Sequence, residues 1–189
     1  MSAMQGMERR AVLLSLIDGM AGEGSWCGET HVQKCVYFLQ SMLNVPTGFD
    51  FILYKHGPFS FDLRDELTAM RADDLIGLEV QSPYGPSLRL CPAGREVANE
   101  LYRITTAQYK DQVDFVAGRI SNRGVSELER LGTALYLYVT KEEMGPGSSP
   151  ESVEIRAGEM HRLKPHVSVE QAQLALSEVD KLISESQGL

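Results

Sequence analysis

Cys27, His31 and Cys35 recur at intervals of four. On one continuous helix, three soft ligands so spaced fall on nearly one face, where thiolate and imidazole could hold zinc. The surrounding residues argue against that use. Cys27 is followed by Gly28, which places it outside the helix, Cys35 belongs to an apolar stripe, and no fourth ligand is near in sequence. The cysteines, Cys27, Cys35 and Cys91, are odd in number and widely spread, a pattern of reduced thiols packed as small apolar groups rather than of a disulfide framework. No metal is expected. A cysteine nucleophile would need an adjacent base or helix end to lower its pKa, and the sequence places no histidine beside a thiol. Phosphate loops of the Walker type, the G-x-S-x-G elbow, the H-E-x-x-H pair and a G-x-G-x-x-G turn are all absent. Asp73 and Asp74 are adjacent, so their side chains diverge at a helix end and read as a solvated terminus. The expectation is a protein with no catalytic residues and no cofactor, hence not an enzyme.

His56 lies between Lys55 and Gly57 in the most distinctive loop of the chain. A titratable group there suits recognition or pH sensing, although an ordinary exposed loop histidine fits as well. Tyr54 and Phe59 flank that loop, where aromatic groups serve either as interface anchors or as closures of the core.

The elements that position these residues follow from periodicity. Val12, Leu13, Leu16, Ile17 and Met20 recur three and four apart, which predicts a helix over 8–20 that ends at Gly22 and Gly24. Thr30 is placed to cap a second helix, whose wide stripe of Val32, Cys35, Val36, Leu39, Met42 and Leu43 suits a central position. Residues 49–54 alternate as a strand, Gly57-Pro58 reads as a turn, and Ser60 caps a helix carrying Leu63, Leu67 and Met70. Leu78 and Val80, a tip at 83–86, then Leu88 and Leu90 predict an antiparallel hairpin, the candidate wing. Pro92 opens another helix, and Tyr109, Val113, Val116 and Ile120 stripe the next. Ser126 with Glu129 and Ser168 with Gln171 have capping-box spacing. The string from Met144 to Pro150, MGPGSSP, favours flexible backbone. The predicted class is mainly α with a small antiparallel β-hairpin, a winged-helix-like α+β fold extended by C-terminal helices.

HVQKCVYFLQ, YKHGPFSFDLRDEL and the hairpin ending in PAGREVANEL resemble the SocA-like antitoxin domain family, also called Panacea, and its YwgA-like relatives. The likeness spans roughly residues 8 to 105, its most specific element being Tyr-x-x-Gly-Pro-x-Ser from Tyr54 to Ser60, and LKPHVSVEQA is similar to a C-terminal feature of YwgA-like members. The expected organisation is a winged-helix-like domain of this type over 1–105 and, from the later helical patterns, a helical C-terminal extension packed on it over 106–189 with a flexible loop near 144–150. The resemblance also implies a protein-binding role, either toxin neutralisation or adaptor work, and supplies no catalytic residues.

The chain has 189 residues, 43% hydrophobic and 23% charged, with 18 Lys and Arg against 26 Asp and Glu, for a formal charge of −8 and a pI near 5.0. Such a surface repels phosphate backbones on average, and no six-residue window is dominated by Lys and Arg. No apolar run approaches the roughly 20 residues that span a bilayer, and a cytoplasmic, unprocessed protein is expected. The reading is of a module that binds another protein, toxin-like or phage-related, through an acidic surface and the 54–60 loop. Its candidate contacts are Tyr54, Lys55, His56, Phe59, Asp62, Asp65, Glu66 and Tyr84. The alternative is a winged-helix transcriptional regulator, working as a homodimer through its C-terminal helices. Asp62, Asp65 and Glu66 against Arg64 and Arg71 make its reading helix electrostatically poor for DNA.

Overall fold

The computed structural model describes residues 4, 6–80, 85–101, 107–143 and 152–189. Among them, eight α-helices and two antiparallel hairpins occur in the order α1 (Gly6–Gly22), α2 (Glu29–Ser41), β1 (Ile52–Tyr54), β2 (Gly57–Phe59), α3 (Phe61–Ala72), β3 (Ile76–Glu79), β4 (Ser87–Leu90), α4 (Pro92–Leu101), α5 (Lys110–Arg119), α6 (Val125–Glu143), α7 (Val153–Leu163) and α8 (Val169–Ser186). The structure is mainly helical with small antiparallel hairpins, the α+β class expected from the sequence. No helix among the described residues is long and apolar enough to cross a membrane. Tyr84 and the 144–150 string lie outside the described residues.

Helix α2 is the axis of the fold. Every residue from His31 to Leu39 is buried, because α5, α6, β2 and α3 all pack against it. A helix this enclosed needs an apolar surface all round, and Val32, Cys35, Val36, Phe38 and Leu39 supply most of it. Its start differs from expectation. Gly28 is the N-cap and makes no side-chain bond, and Thr30 falls inside the first turn. Helix α1 packs against α4, α5 and β4, and α8 closes the far side against α6 and α7.

Two further expectations are corrected. Gly57-Pro58 is not the turn: the chain turns at Lys55-His56, and Gly57 to Phe59 form β2, which pairs with β1 in the register Ile52↔Phe59, Leu53↔Pro58, Tyr54↔Gly57. Gly57 holds a φ of +83°, which favours glycine. Ser126 and Glu129 form no capping box. Helix α6 begins two residues earlier than that cap would allow, at Val125, with the Gly124 carbonyl accepting from the amides of Glu127 and Leu128, both at 2.9 Å. Glu129 thereby moves one turn into the helix, where its side chain has other partners.

Other local signals hold. Ser60 Oγ accepts from the Leu63 amide at 3.2 Å at the start of α3. Ser168 and Gln171 form the capping box of α8, with bonds of 3.2 and 3.1 Å. The wing is the β3–β4 hairpin, in the register Ile76↔Leu90 to Glu79↔Ser87, and the Leu88 amide ties it to the Cys27 carbonyl at 2.8 Å. Where the wing meets α4, an ideal Cβ on Gly94 would stand 2.0 Å from the Leu75 carbonyl oxygen, itself the acceptor for the Cys91 amide. Gly94→Ala must therefore displace backbone. It is expected to cost about 3 kcal/mol, read as a lower urea midpoint at unchanged m-value.

Candidate functional site

The residues around the β1–β2 hairpin are brought together by polar side chains on α2. Gln33, nearly fully buried, donates through Nε2 to the Ser60 carbonyl at 2.9 Å and accepts the Ser60 amide on Oε1 at 3.0 Å. Two turns on, Gln40 repeats the device on Phe49, at 2.8 and 3.0 Å, and its Oε1 also accepts from the Thr47 hydroxyl at 2.6 Å. Between them Lys34, 1% exposed, donates from Nζ to the Pro58 carbonyl at 2.7 Å. A buried polar group without a partner is costly. These three side chains meet that requirement by bonding to the backbone of the segment that carries the hairpin.

From the opposite side, Lys164, in the turn after α7, donates Nζ to the carbonyls of Tyr54 and Lys55, both at 2.6 Å. His161 Nδ1 lies 2.7 Å from the Val167 carbonyl and braces the same turn. Glu129 on α6, 8% exposed, sits beneath both turns. His56 Nδ1 approaches one of its carboxylate oxygens at 3.3 Å and His166 Nε2 the other at 3.0 Å. Close packing of β2 on α6 makes this possible: an ideal Cβ on Gly132 would come 3.1 Å from Pro58 Cδ. Burial pushes the Lys34 ammonium down to about 8, with Lys164 pushing the same way and Glu129 opposing. Burial also lowers Lys164, against the pull of Glu129.

On the outer surface of the hairpin, the rings of Tyr54, Phe59 and Phe61 contact one another at centroid distances of 5.9, 5.8 and 5.1 Å. Tyr54 is 53% and Phe61 43% exposed, Ile52 is exposed beside them, and the Arg64 guanidinium lies 5.1 Å from the Phe61 centroid. A cleft of about 320 Å³ opens next to this patch, lined by Glu29, Thr30, Gln33, Lys34, His56 and Phe59, among others.

The structure thus groups Tyr54, Lys55, His56 and Phe59 on one hairpin, with Asp62 and Asp65 exposed on the neighbouring helix. Asp65 pairs with Arg64 at 2.9 Å. Glu66 does not face outward as the sequence suggests: its carboxylate is taken up by Arg9 at 2.7 Å and Arg10 at 2.6 Å. Sequence reasoning missed Gln33, Lys34, Phe61, Glu129, Lys164 and His166. One signal was present. VQKCVYF has apolar residues on all sides of the helix, which leaves Gln33 and Lys34 no solvent-facing stripe.

The Cys27–His31–Cys35 spacing does not produce a ligand set. Cys27 precedes α2 with a left-handed φ of 55°, and burial raises its thiol to about 11 and drives that of Cys35 up as well. Burial lowers the His31 imidazole, which bonds to the Arg123 backbone. Among the described residues, no three His, Cys, Asp or Glu side chains are arranged to hold a metal ion. No protein-family model matches the chain, and comparison with curated proteins finds no match.

The lowered Lys34 has a measurable consequence. The unfolded chain holds this proton more tightly than the folded one, so between about pH 8 and 10.5 the unfolded state binds more protons and stability rises with pH. Wild type minus Lys34→Met, measured by urea unfolding across that window, is expected to rise on the order of 2 kcal/mol. A flat difference would show that Lys34 is not desolvated.

Proposed function

We propose that this protein is a non-enzymatic binding module that docks a partner protein on the β1–β2 hairpin and the start of α3. The observation that carries the reading is the patch of Tyr54, Phe59 and Phe61, three rings in mutual contact and partly open to solvent on a hairpin held from two sides. Aromatic side chains that are rigidly presented and half-exposed are the groups that carry most interface energy, and their ordering cost is already met by the Lys34, Gln33 and Lys164 bonds. The resemblance to SocA-like antitoxin domains points the same way, to a toxin-like or phage-related partner or to adaptor work in the cytoplasm.

Charge supports a protein partner over duplex DNA. With Glu66 withdrawn, Asp62 and Asp65 balance Arg64 and Arg71 on the exposed side of α3, and a balanced helix offers little counterion release. Arg9, Arg10, Arg64, Arg89, Arg95, Arg119, Arg123 and Arg156 are each paired with a carboxylate. Arg89, the one of these on the β3–β4 hairpin, pairs with Glu79 at 3.2 Å, and DNA binding by the wing would have to break that pair.

A photo-crosslinking amino acid at Phe61, introduced in the native host, is expected to capture one defined protein. Tyr54→Ala with Phe61→Ala should weaken that partner at least about tenfold while leaving the thermal midpoint within a few degrees, because both side chains are exposed. Salt-sensitive binding of duplex DNA with no captured protein would replace this reading with the regulator.

A further inference from the structure

The β1–β2 region combines an aromatic patch with an excess of buried positive charge. Lys34 and Lys164 are both buried, and the one buried carboxylate among the groups acting on them is Glu129. Two ammonium groups therefore share a single counterion in a setting where an unbalanced charge is costly. The exposed Lys55 stands on the same hairpin, so this end of an otherwise acidic chain adds a solvent-facing ammonium to the two buried ones, while Glu129 is already engaged by His56 and His166. The cleft lined by Lys34, His56, Gln33 and Thr30 opens here, with Tyr54 and Phe59 on its wall and Glu29 as the opposing charge.

We propose that the cleft receives a carboxylate-bearing segment of the partner protein, an acidic side chain beside an aromatic or aliphatic anchor, with the anchor seated on Tyr54, Phe59 and Phe61. The inference rests on the docking surface proposed above and reverses the sign that the overall charge of the chain suggests for the partner. A carboxylate entering this cleft stands beside Lys34, whose acidic neighbour in the interior is Glu129, and within reach of the exposed Lys55. The charge-assisted bonds it makes are stronger than neutral ones, and the ring patch supplies the apolar burial. The acidic remainder of the surface then keeps other acidic segments away from other faces, so repulsion elsewhere directs binding to this cleft.

The test uses the full chain and short fluorescein-labelled peptides in which phenylalanine and leucine alternate with glutamate, with glutamine or with lysine, read by fluorescence anisotropy. The glutamate peptide is expected to bind at least about tenfold tighter than the glutamine peptide, and the lysine peptide weakest. Lys55→Glu should weaken the glutamate peptide and spare the glutamine one, while Glu29→Gln should strengthen the glutamate peptide. Both positions are exposed, so neither change threatens the fold. If the three peptides bind equally and all are lost in Tyr54→Ala with Phe61→Ala, the aromatic docking surface stands and the carboxylate preference is overturned. Absence of binding by every peptide overturns it too, as does displacement of the glutamate peptide by equimolar inorganic phosphate, which would mark a small-anion site.

Discussion

Because α2 is covered on every side, the polar side chains it carries must find partners inside the protein, and Gln33, Lys34 and Gln40 all find backbone. Each glutamine forms a two-bond amide pair with one residue, Ser60 or Phe49, and Lys34 holds the carbonyl between them at Pro58. The segment 47–60 is thereby fastened along two turns of helix by contacts that persist only while α2 stays enclosed. Removing any one partner would leave a buried donor or acceptor unmet, at a cost of about 1–3 kcal/mol. The N-cap of α3 depends on the same contacts, since Ser60 is clamped by Gln33 through its backbone and caps α3 through its hydroxyl.

The charged layer above this scaffold follows from it. Once Pro58 is drawn onto Lys34, β2 lies against α6 so closely that a Cβ at Gly132 would press on the Pro58 ring, and Glu129 comes within reach of His56. Lys164 and His166 then close from the turn after α7, so hairpin, α6 and C-terminal helices meet over one carboxylate. Exposed histidine–carboxylate contacts contribute little stability individually. Lys164 is buried and holds two carbonyls, so it is the contact by which the C-terminal helices fix the hairpin's orientation.

Signals confined to a few neighbouring residues were legible in the sequence. Ser60 and Leu63 lie three apart, as do Ser168 and Gln171, and both caps form because nothing distant competes for them. The apolar stripes of α1, α2 and α5 were visible for the same reason. What escaped was set by partners far along the chain. Gly57-Pro58 has the local chemistry of a turn, but a lysine 24 residues earlier draws its carbonyl inward and makes it a strand. Ser126 and Glu129 have capping spacing, yet Gly124 takes the first amides, and histidines 73 and 37 residues away take the carboxylate. Glu66 looked solvent-facing until Arg9 and Arg10 of α1 were placed beside it. Of the candidate surface, the hairpin residues were legible as a group, whereas Phe61 and the buried ions beneath were not, because burial of a charge is a property of the assembled fold.

On the hairpin itself, the clamps from Lys34, Gln33 and Lys164 bond main-chain amides and carbonyls at 54–60, groups that every amino acid carries except for the amide hydrogen of proline. The scaffold is consequently blind to which side chains the hairpin displays. Ile52, Tyr54, Lys55 and Phe61 can drift under selection, or be randomised in a library, without disturbing what supports them. A lineage using this fold could thus vary what the hairpin shows to solvent while keeping its frame.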